Sequence, residues 1–170
     1  MEKELKIDFG CGIDKRPGFT GVDIDPNSHA DIIHDLEKVP YPFEESSVSE
    51  INSDHNIEHL DDLGRFFNEI HRIAKPGALF TLNFPHYSRG WFSAQHKKCY
   101  GIRIFNDYKD KFEVQSIKFN YKHHTYRSWY FPFVLVVNFF ANLSPAFCER
   151  FWCYWFGGFD CVIIKVKIKK

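Results

Sequence analysis

A sequence of 170 residues, 44% of them hydrophobic, is long enough to fold as one domain with a substantial core. Its 22 basic and 22 acidic side chains balance, so the chain lacks the net positive charge that favours a nucleic-acid partner. Its five cysteines include no C-x-x-C pair, which argues against a zinc ribbon or a disulfide framework and favours a reducing cytoplasm. The first ten residues show no secretory signal, which agrees with a cytoplasmic location.

Short apolar runs alternate with connections along the chain and predict a parallel sheet of the α/β class. Five strands are predicted at residues 5–9, 19–24, 31–34, 48–52 and 78–84, and two more at 112–121 and 161–169. Between the first five strands, only residues 60–74 repeat apolar side chains at helical spacing, and Pro76-Gly77 ends that helix. The earlier connections are trimmed, so we expect one face of the sheet to be thinly covered.

The most informative segment is LKIDFGCGIDKRPGFTGVDID, residues 5–25. A strand that ends in Gly10-Cys11-Gly12 lets the backbone approach a ligand, and Asp23 after the next strand can accept hydrogen bonds from a ribose. The third glycine of a dinucleotide site is absent, and Pro17-Gly18 leaves no room for the helix that would bind a diphosphate. S-adenosylmethionine has no phosphate, and Asp8 suits its ammonium group. The segment therefore predicts an S-adenosylmethionine site.

Three ordered segments resemble motifs of the class I S-adenosylmethionine-dependent methyltransferases, in particular the small, type 11-like members. The first is the Gly-Cys-Gly segment, the second is Asp35-Leu36 with the VPYPFEESSVSEIN that follows, and the third is NEIHRIAKPGALFTLNFP at residues 68–85. The resemblance implies a Rossmann-like sheet that is mostly parallel, with an antiparallel last strand and shortened early helices. It also implies a single domain, residues 1–170, with an aromatic-rich insertion at 122–158.

Family motifs also imply which residues hold the cofactor. The carboxyl end of the fourth strand, Ser53 and Asp54, would lie beside the methionine portion, while Asp35 would face the adenine amino group and Leu36 its ring. The full implied set is Asp8, Gly10, Cys11, Gly12, Asp23, Ile24, Asp35, Leu36, Ser53 and Asp54.

Histidines are the candidate catalytic groups. Pro85-His86 and His96-Lys97 resemble a subset of small bacterial and archaeal methyltransferases. In direct displacement an acceptor atom attacks the methyl carbon, and a hydroxyl acceptor also needs a base near neutral pKa. We rank His86, His96 and His55 in that order as this base, against the alternative that each is a structural or surface histidine. The predicted acceptor is a small molecule or saccharide, methylated on oxygen.

The predicted insertion, residues 122–158, is dense in aromatic side chains. Its longest apolar piece, 131–143, is too short for the roughly 20 residues of a membrane-spanning helix. We expect a helical cap that buries its aromatic side chains on the sheet. The alternatives are a lid over the substrate, a homodimer interface, or a contact with the membrane surface through residues 129–157.

Two other functions compete with methyl transfer. Residues 55–59 read H-x-x-E-H, a zinc pattern of metallopeptidases in which both histidines share a helix face. It begins where the fourth strand ends and no third ligand is marked, so we predict no metal site. The second alternative is a methyltransferase-like binding or scaffold protein without catalysis, because Asp14 stands where many members of the family have glycine.

Overall fold

The computed structural model describes residues 4–91, 93–121, 131–155 and 158–170. The described strands are β1 (Leu5–Phe9), β2 (Thr20–Asp23), β3 (Ile32–Ile33), β4 (Val48–Asp54), β5 (Ala74–Pro85), β6 (Phe112–Asn120) and β7 (Cys161–Ile168). They form one sheet in the order β3-β2-β1-β4-β5-β7-β6. Strands β1 to β5 pair in parallel, and β7 runs antiparallel to both β5 and β6. The predicted Rossmann-like class and the antiparallel last strand are confirmed.

The early connections contain less helix than the predicted shortened elements. Residues 10–19, 24–31 and 34–47 form turns and bends without a helix. The loop after β3 covers the sheet with an aromatic side chain instead, because Tyr41 is 2% exposed and its ring centroid lies 5.4 Å from that of Phe9. The hydroxyl of Tyr41 donates to the carbonyl of Leu36 (2.9 Å), so its polar end is satisfied inside the core.

Helix α1 (Leu63–Ile73) confirms the predicted helix with a later start. Its N-cap is Asp62, whose Oδ1 accepts a hydrogen bond from the backbone N–H of Arg65 (3.0 Å). Leu60 instead follows a separate 3₁₀ turn, Ile57–His59. The apolar face of α1 buries four side chains against the sheet, worth roughly 1.5 to 3 kcal/mol each: Phe66, Phe67, Ile70 and Ile73.

A short helix, α2 (Tyr87–Gly90), follows β5. Two further helices follow β6 and form a pair: α3 (Phe131–Leu143) and α4 (Pro145–Trp155). Two asparagines four residues apart attach α3 to β6, which is an edge strand. Asn142 Oδ1 accepts from the backbone N–H of Phe119 (2.7 Å), and its Nδ2 donates to the carbonyl of Phe119 (2.9 Å). Asn138 Oδ1 accepts from the N–H of Tyr121 (2.7 Å). Side chains of α3 therefore pair the open edge of the sheet.

The prediction that the insertion buries its aromatic side chains on the sheet is wrong for residues 131–155. Large apolar side chains face outward at Phe133, Leu135, Val136, Phe139, Phe140, Leu143, Phe147, Phe151, Trp152, Tyr154 and Trp155. Among the described helices, none is by itself long and apolar enough to cross a membrane; α3 and α4 reach that length and composition only as a pair, bent by 102°. The remaining predicted insertion residues, 122–130 and 156–157, lie outside the described residues.

Candidate functional site

A cavity of about 660 Å³ opens at the carboxyl ends of β1 and β4, which are neighbouring parallel strands. Its volume lies within the range of about 300 to 1,000 Å³ that ligand pockets usually have. This edge of an open α/β sheet is where ligands bind, because strand ends and loops converge there. The lining residues are Asp8, Gly10, Cys11, Gly12, Ile13, Asp14, Arg16, Pro17, Asn52, Asp54 and His55.

The glycine turn forms one wall of this cavity. Gly10 has φ +67°, and a Cβ there would lie 2.7 Å from the Cβ of Asn56, so no larger residue fits without displacement. Gly12 has φ +51°. The carboxylate of Asp23 braces the turn, because its Oδ2 accepts from the N–H of Gly12 (2.8 Å). The chain therefore presents bare backbone to the cavity.

The floor of the cavity is a network around Asp8, which is 3% exposed. Asp8 Oδ2 accepts from the backbone N–H of Arg16 (2.8 Å), and Oδ1 accepts from Asn52 Nδ2 (2.7 Å). Arg16 Nη1 donates to Asn52 Oδ1 (2.8 Å). Arg16 and Asn52 are functional candidates that the sequence reasoning missed. Asn52 could have been found by register, since it pairs with Asp8 across β1 and β4.

These groups fit S-adenosylmethionine. The acids Asp8 and Asp54 suit its ammonium and sulfonium, and the guanidinium of Arg16 supplies a positive charge for its carboxylate. Burial and the neighbouring carboxylates of Asp23 and Asp8 raise the pKa of Cys11 to about 11, so this lining thiol stays neutral.

The structure places five of the ten predicted cofactor residues in the cavity wall: Asp8, Gly10, Cys11, Gly12 and Asp54. The other five lie outside that wall: Asp23, Ile24, Asp35, Leu36 and Ser53. Ile24 is 63% exposed, whereas Leu36 and Ser53 are buried. The backbone N–H of Glu37 donates to Asp35 and holds the pKa of that carboxyl below its usual value. The predicted adenine contacts of Asp35 and Leu36 stay predictions.

A second cavity, of about 400 Å³, shares His55 with the first. It is lined by His55, Pro85, Arg89, Gly90, Ser93, His96 and Asp160. Arg89 Nη1 and Asp160 Oδ1 form an ion pair of 3.0 Å across its wall. The shared histidine places this polar cavity next to the first one.

The three candidate bases occupy different environments. His86 is fully buried, with Nδ1 2.6 Å from Ser88 Oγ and Nε2 3.2 Å from Glu149 Oε1, and it lines neither of the two cavities. It links β5 to α4, which does not fit its first rank as base. His96 does line the second cavity, with Nδ1 2.6 Å from the carbonyl of Gly90 and Nε2 4.0 Å from Glu58 Oε1.

His55 lies between the cavities in a left-handed backbone conformation, φ +48°. Its Nδ1 is 3.3 Å from Glu58 Oε1. The sulfur of Cys161 and the carboxylate of Glu58 raise the pKa of His55 to about 10, so the ring is a cation at neutral pH. A protonated ring cannot accept a proton, which argues against His55 as the base.

The helical arrangement expected for H-x-x-E-H is not formed. The 3₁₀ turn begins at Ile57, and the positive φ of His55 sets this residue off from it. A different group of possible metal ligands is present: one donor atom each of Glu58, His59 and His96 lie within 4.8 Å of one another.

Residues 7–82, which include every lining residue of the first cavity, match the family of methyltransferase domains. The match covers 76 of the 170 residues and indicates a methyltransferase. S-adenosylmethionine is the cofactor of this methyltransferase, in agreement with the cavity described above. No curated protein matches the sequence.

Solved structures with the same fold extend over nearly the whole methyltransferase. A S-adenosylmethionine-dependent methyltransferase from Archaeoglobus fulgidus is 17% identical, with a TM-score of 0.64 over 98% of this chain and 86% of that chain. Geranyl diphosphate C-methyltransferase from Streptomyces coelicolor, in complex with S-adenosyl-L-homocysteine, is 15% identical (TM-score 0.62, 96% and 69%). Phosphoethanolamine N-methyltransferase 2 from Haemonchus contortus, in complex with S-adenosyl-L-methionine, is 15% identical (TM-score 0.60, 100% and 50%). At these identities the likeness shows the fold.

Proposed function

We propose that this methyltransferase methylates an oxygen of a saccharide or another small molecule bound in the second cavity. The observation that carries the proposal is the shared lining residue, His55, which brings the acceptor cavity against the cofactor cavity. The polar side chains Arg89, Ser93 and Asp160 suit an acceptor rich in hydroxyl groups, because such groups donate and accept hydrogen bonds.

Bound cofactor supplies a methyl group on a positively charged sulfur. The chain contributes alignment first: the Asp8, Arg16 and Asn52 network fixes the floor of one cavity. Holding two reactants in line is worth roughly 7 to 11 kcal/mol of the barrier. The rest of the contribution is the transfer of the acceptor proton.

His96 is the residue that we assign to this proton transfer. The carbonyl of Gly90 can only accept, so Nδ1 of His96 carries the proton and Nε2 presents a lone pair. A hydroxyl that donates to Nε2 would pass its proton to this nitrogen as its oxygen takes the methyl group, and the cofactor sulfur would be left as a neutral thioether. A base placed in this way contributes roughly a hundredfold to ten-thousandfold in rate.

The test is methyl transfer from labelled S-adenosylmethionine to a panel of saccharides, phenols and amines. We expect turnover with hydroxyl acceptors and a fall of about a hundredfold in kcat for His96→Gln, with cofactor affinity unchanged in calorimetry. The matched control is His71→Gln, a half-buried histidine that lines neither cavity and whose Nε2 lies 2.7 Å from the carbonyl of Lys169. Transfer to amines alone, or full turnover by His96→Gln, would refute the assignment.

The exposed helical pair supports a second part of the proposal, a peripheral contact with the cytoplasmic membrane surface. An apolar groove of about 370 Å³ lies between α3 and α4, lined in part by Phe133, Phe140, Phe147 and Trp152. Aromatic side chains that face outward on short helices suit the boundary between headgroups and acyl chains. A lipid-linked saccharide would then be within reach of the acceptor cavity. A homodimer through the same surface is the competing outcome of the vesicle test described in the Discussion.

A further inference from the structure

We propose that Glu58, His59 and His96 bind one divalent transition-metal ion of the zinc class beside the acceptor cavity. Their donor atoms already lie within 4.8 Å of one another, close enough for a single ion to bridge them. This site departs from the expectation of no metal, and it uses a different set of residues from the H-x-x-E-H pattern.

Glu58 is the first reason. Its side chain is 2% exposed, and neither Oε1 nor Oε2 has a hydrogen-bond partner among the residues that the structure describes. The nearest ionisable atoms to Oε1 are His55 Nδ1 at 3.3 Å and His96 Nε2 at 4.0 Å. A buried carboxylate carries a large desolvation cost, and the His55 ring at 3.3 Å offsets it at Oε1 only. Oε2 has no partner among the described residues, and a bound cation would supply one.

The orientation of the two imidazole rings is the second reason. Nδ1 of His59 lies 3.1 Å from the carbonyl of Gln95, and Nδ1 of His96 lies 2.6 Å from the carbonyl of Gly90. A carbonyl oxygen only accepts, so both rings carry their proton on Nδ1 and leave the Nε2 lone pair free. Metal-binding histidines are held in the same way, with the other ring nitrogen donating to a backbone carbonyl.

The third reason is that the protein holds these groups together without an ion. The backbone N–H groups of Lys97 and Lys98 donate to the carbonyl of Glu58 (2.9 and 3.3 Å). Lys97 Nζ pairs with Asp61 Oδ2 (2.8 Å), and Lys98 Nζ donates to the carbonyl of Asp61 (2.6 Å). Four bonds therefore fix the segment of His96 to the segment of Glu58, so ion binding costs little reorganisation.

The chemistry of the donors selects the ion. Two imidazole nitrogens and one carboxylate oxygen suit Zn²⁺ and its neighbours in the first transition row, whereas Mg²⁺ and Ca²⁺ prefer oxygen ligands throughout. In the H-x-x-E-H pattern the glutamate is a base and His55 would be a metal ligand. At the proposed site Glu58 is itself a ligand, and His96 takes the place of His55.

An ion at this site also has a consequence for methyl transfer, which rests on the proposed function. Coordination uses the Nε2 lone pair of His96, the same lone pair that would receive the acceptor proton. Zinc and the acceptor proton therefore compete for one atom, and zinc-loaded enzyme should transfer methyl groups at least about tenfold more slowly.

The experiment begins with protein freed of metal by a chelator and titrated with Zn²⁺ against a chromophoric competitor. We expect one zinc per chain and an increase in the thermal midpoint, because the ion binds only the folded state. Glu58→Gln and His59→Ala should each weaken zinc binding at least about a hundredfold and abolish the thermal shift. Circular dichroism verifies that each variant is folded, and the partly exposed His59 makes its replacement the safer of the two.

Two control variants separate this site from other histidines. His71→Ala removes a half-buried ring outside the proposed site, and a double replacement of His123 and His124 by alanine removes the two histidines that are adjacent in the sequence. Both controls should bind zinc as wild type does. The proposal is overturned if zinc is not bound stoichiometrically, if Glu58→Gln and His59→Ala bind it normally, or if the double replacement abolishes binding. Stoichiometric zinc binding by a protein that transfers no methyl group even when freed of zinc would support the metal site and overturn the proposed function.

Discussion

Two regions are rich in aromatic residues: the sheet with the elements packed on it, called here the sheet unit, and the α3–α4 pair. The sheet unit buries its aromatic side chains, whereas the α3–α4 pair exposes them. In the sheet unit, Phe9, Phe66, Phe67, Phe80, Phe105 and Phe112 are each at most 2% exposed. On the helical pair, Phe133, Phe139, Phe140, Phe147, Tyr154 and Trp155 are each at least 61% exposed. Aromatic content by itself therefore does not predict burial.

Periodicity explains the difference. Helix α1 alternates an apolar face with polar residues such as Arg65 and Glu69, so one orientation buries four of its five large apolar side chains and partly buries the fifth, Leu63. Residues 131–143 contain no charged residue, so α3 is apolar around most of its circumference and only one stripe can face β6. Its two asparagines, rather than its aromatic residues, determine which stripe that is.

The largest expected effect is on stability, from one aromatic truncation in each region. Phe67 is fully buried and its ring stacks on that of Phe105 at 4.9 Å, so Phe67→Ala should cost about 3 to 5 kcal/mol. Phe139 is 62% exposed, so Phe139→Ala should change stability by less than about 0.5 kcal/mol. Urea unfolding measures both. Similar losses in the two variants would mean that the helical surface is buried by another molecule.

Next in size is the attachment of α3 to the sheet edge. Asn142→Ala removes two hydrogen bonds to Phe119 and should weaken the attachment by about 2 kcal/mol. Hydrogen exchange at the Phe119 amide should accelerate about thirtyfold, since each 1.4 kcal/mol is a factor of ten. Leu143→Ala, an exposed neighbour on the same helix, is the control and should leave exchange unchanged. Slow exchange in both variants would contradict the role of Asn142.

A smaller effect depends on pH, through the contact of α4 with the sheet unit. Burial alone would raise the pKa of Glu149, but hydrogen bonds from His86 and from the Ile102 N–H (2.7 Å) outweigh burial and lower that pKa. A carboxyl whose pKa is lower when folded stabilises the fold fully above its unfolded pKa of 4.5 and loses that contribution as pH falls through the folded value.

Unfolding free energy should therefore decrease below pH 4.5 in wild type. Glu149→Gln should be less stable at pH 7 and show a shallower decrease with acidity, measured by denaturant unfolding at a series of pH values. The control is Gln115→Glu, which adds a carboxylate at an exposed position and so tests the effect of net charge on stability. An unchanged acid profile in Glu149→Gln would remove the assigned role.

The smallest effect on stability is expected where the effect on binding is greatest. Phe139→Ser combined with Phe147→Ser changes two side chains that are 62% and 63% exposed. We expect unfolding free energy within about 0.5 kcal/mol of wild type and a decrease of at least about tenfold in partition onto phospholipid vesicles. If the wild-type protein does not bind vesicles but dimerises with increasing concentration, the surface is a homodimer interface rather than a membrane contact.

The sequence by itself determined what depends on neighbouring residues. The five parallel strands, the helix ending before Pro76-Gly77 and the glycine turn at Gly10 all follow from local patterns of apolar side chains and turn residues. Family motifs then indicated the cofactor, and half of the implied cofactor residues line the cavity. The parallel pairing of the first five strands agrees with the prediction because strands of this pattern have few allowed connections.

Only the tertiary structure decided what depends on distant residues. It brought Asn52 and Arg16 onto Asp8, buried His86 against Glu149, and placed His96 beside Glu58. None of these contacts produces a sequence motif with fixed spacing. The partners lie on separate loops and strands and meet only when the elements pack together. The outward aromatic surface of α3 and α4 was equally hidden. The sequence shows that the side chains of α3 are apolar. The direction in which they face is determined by the hydrogen bonds of Asn138 and Asn142 to the edge of the sheet.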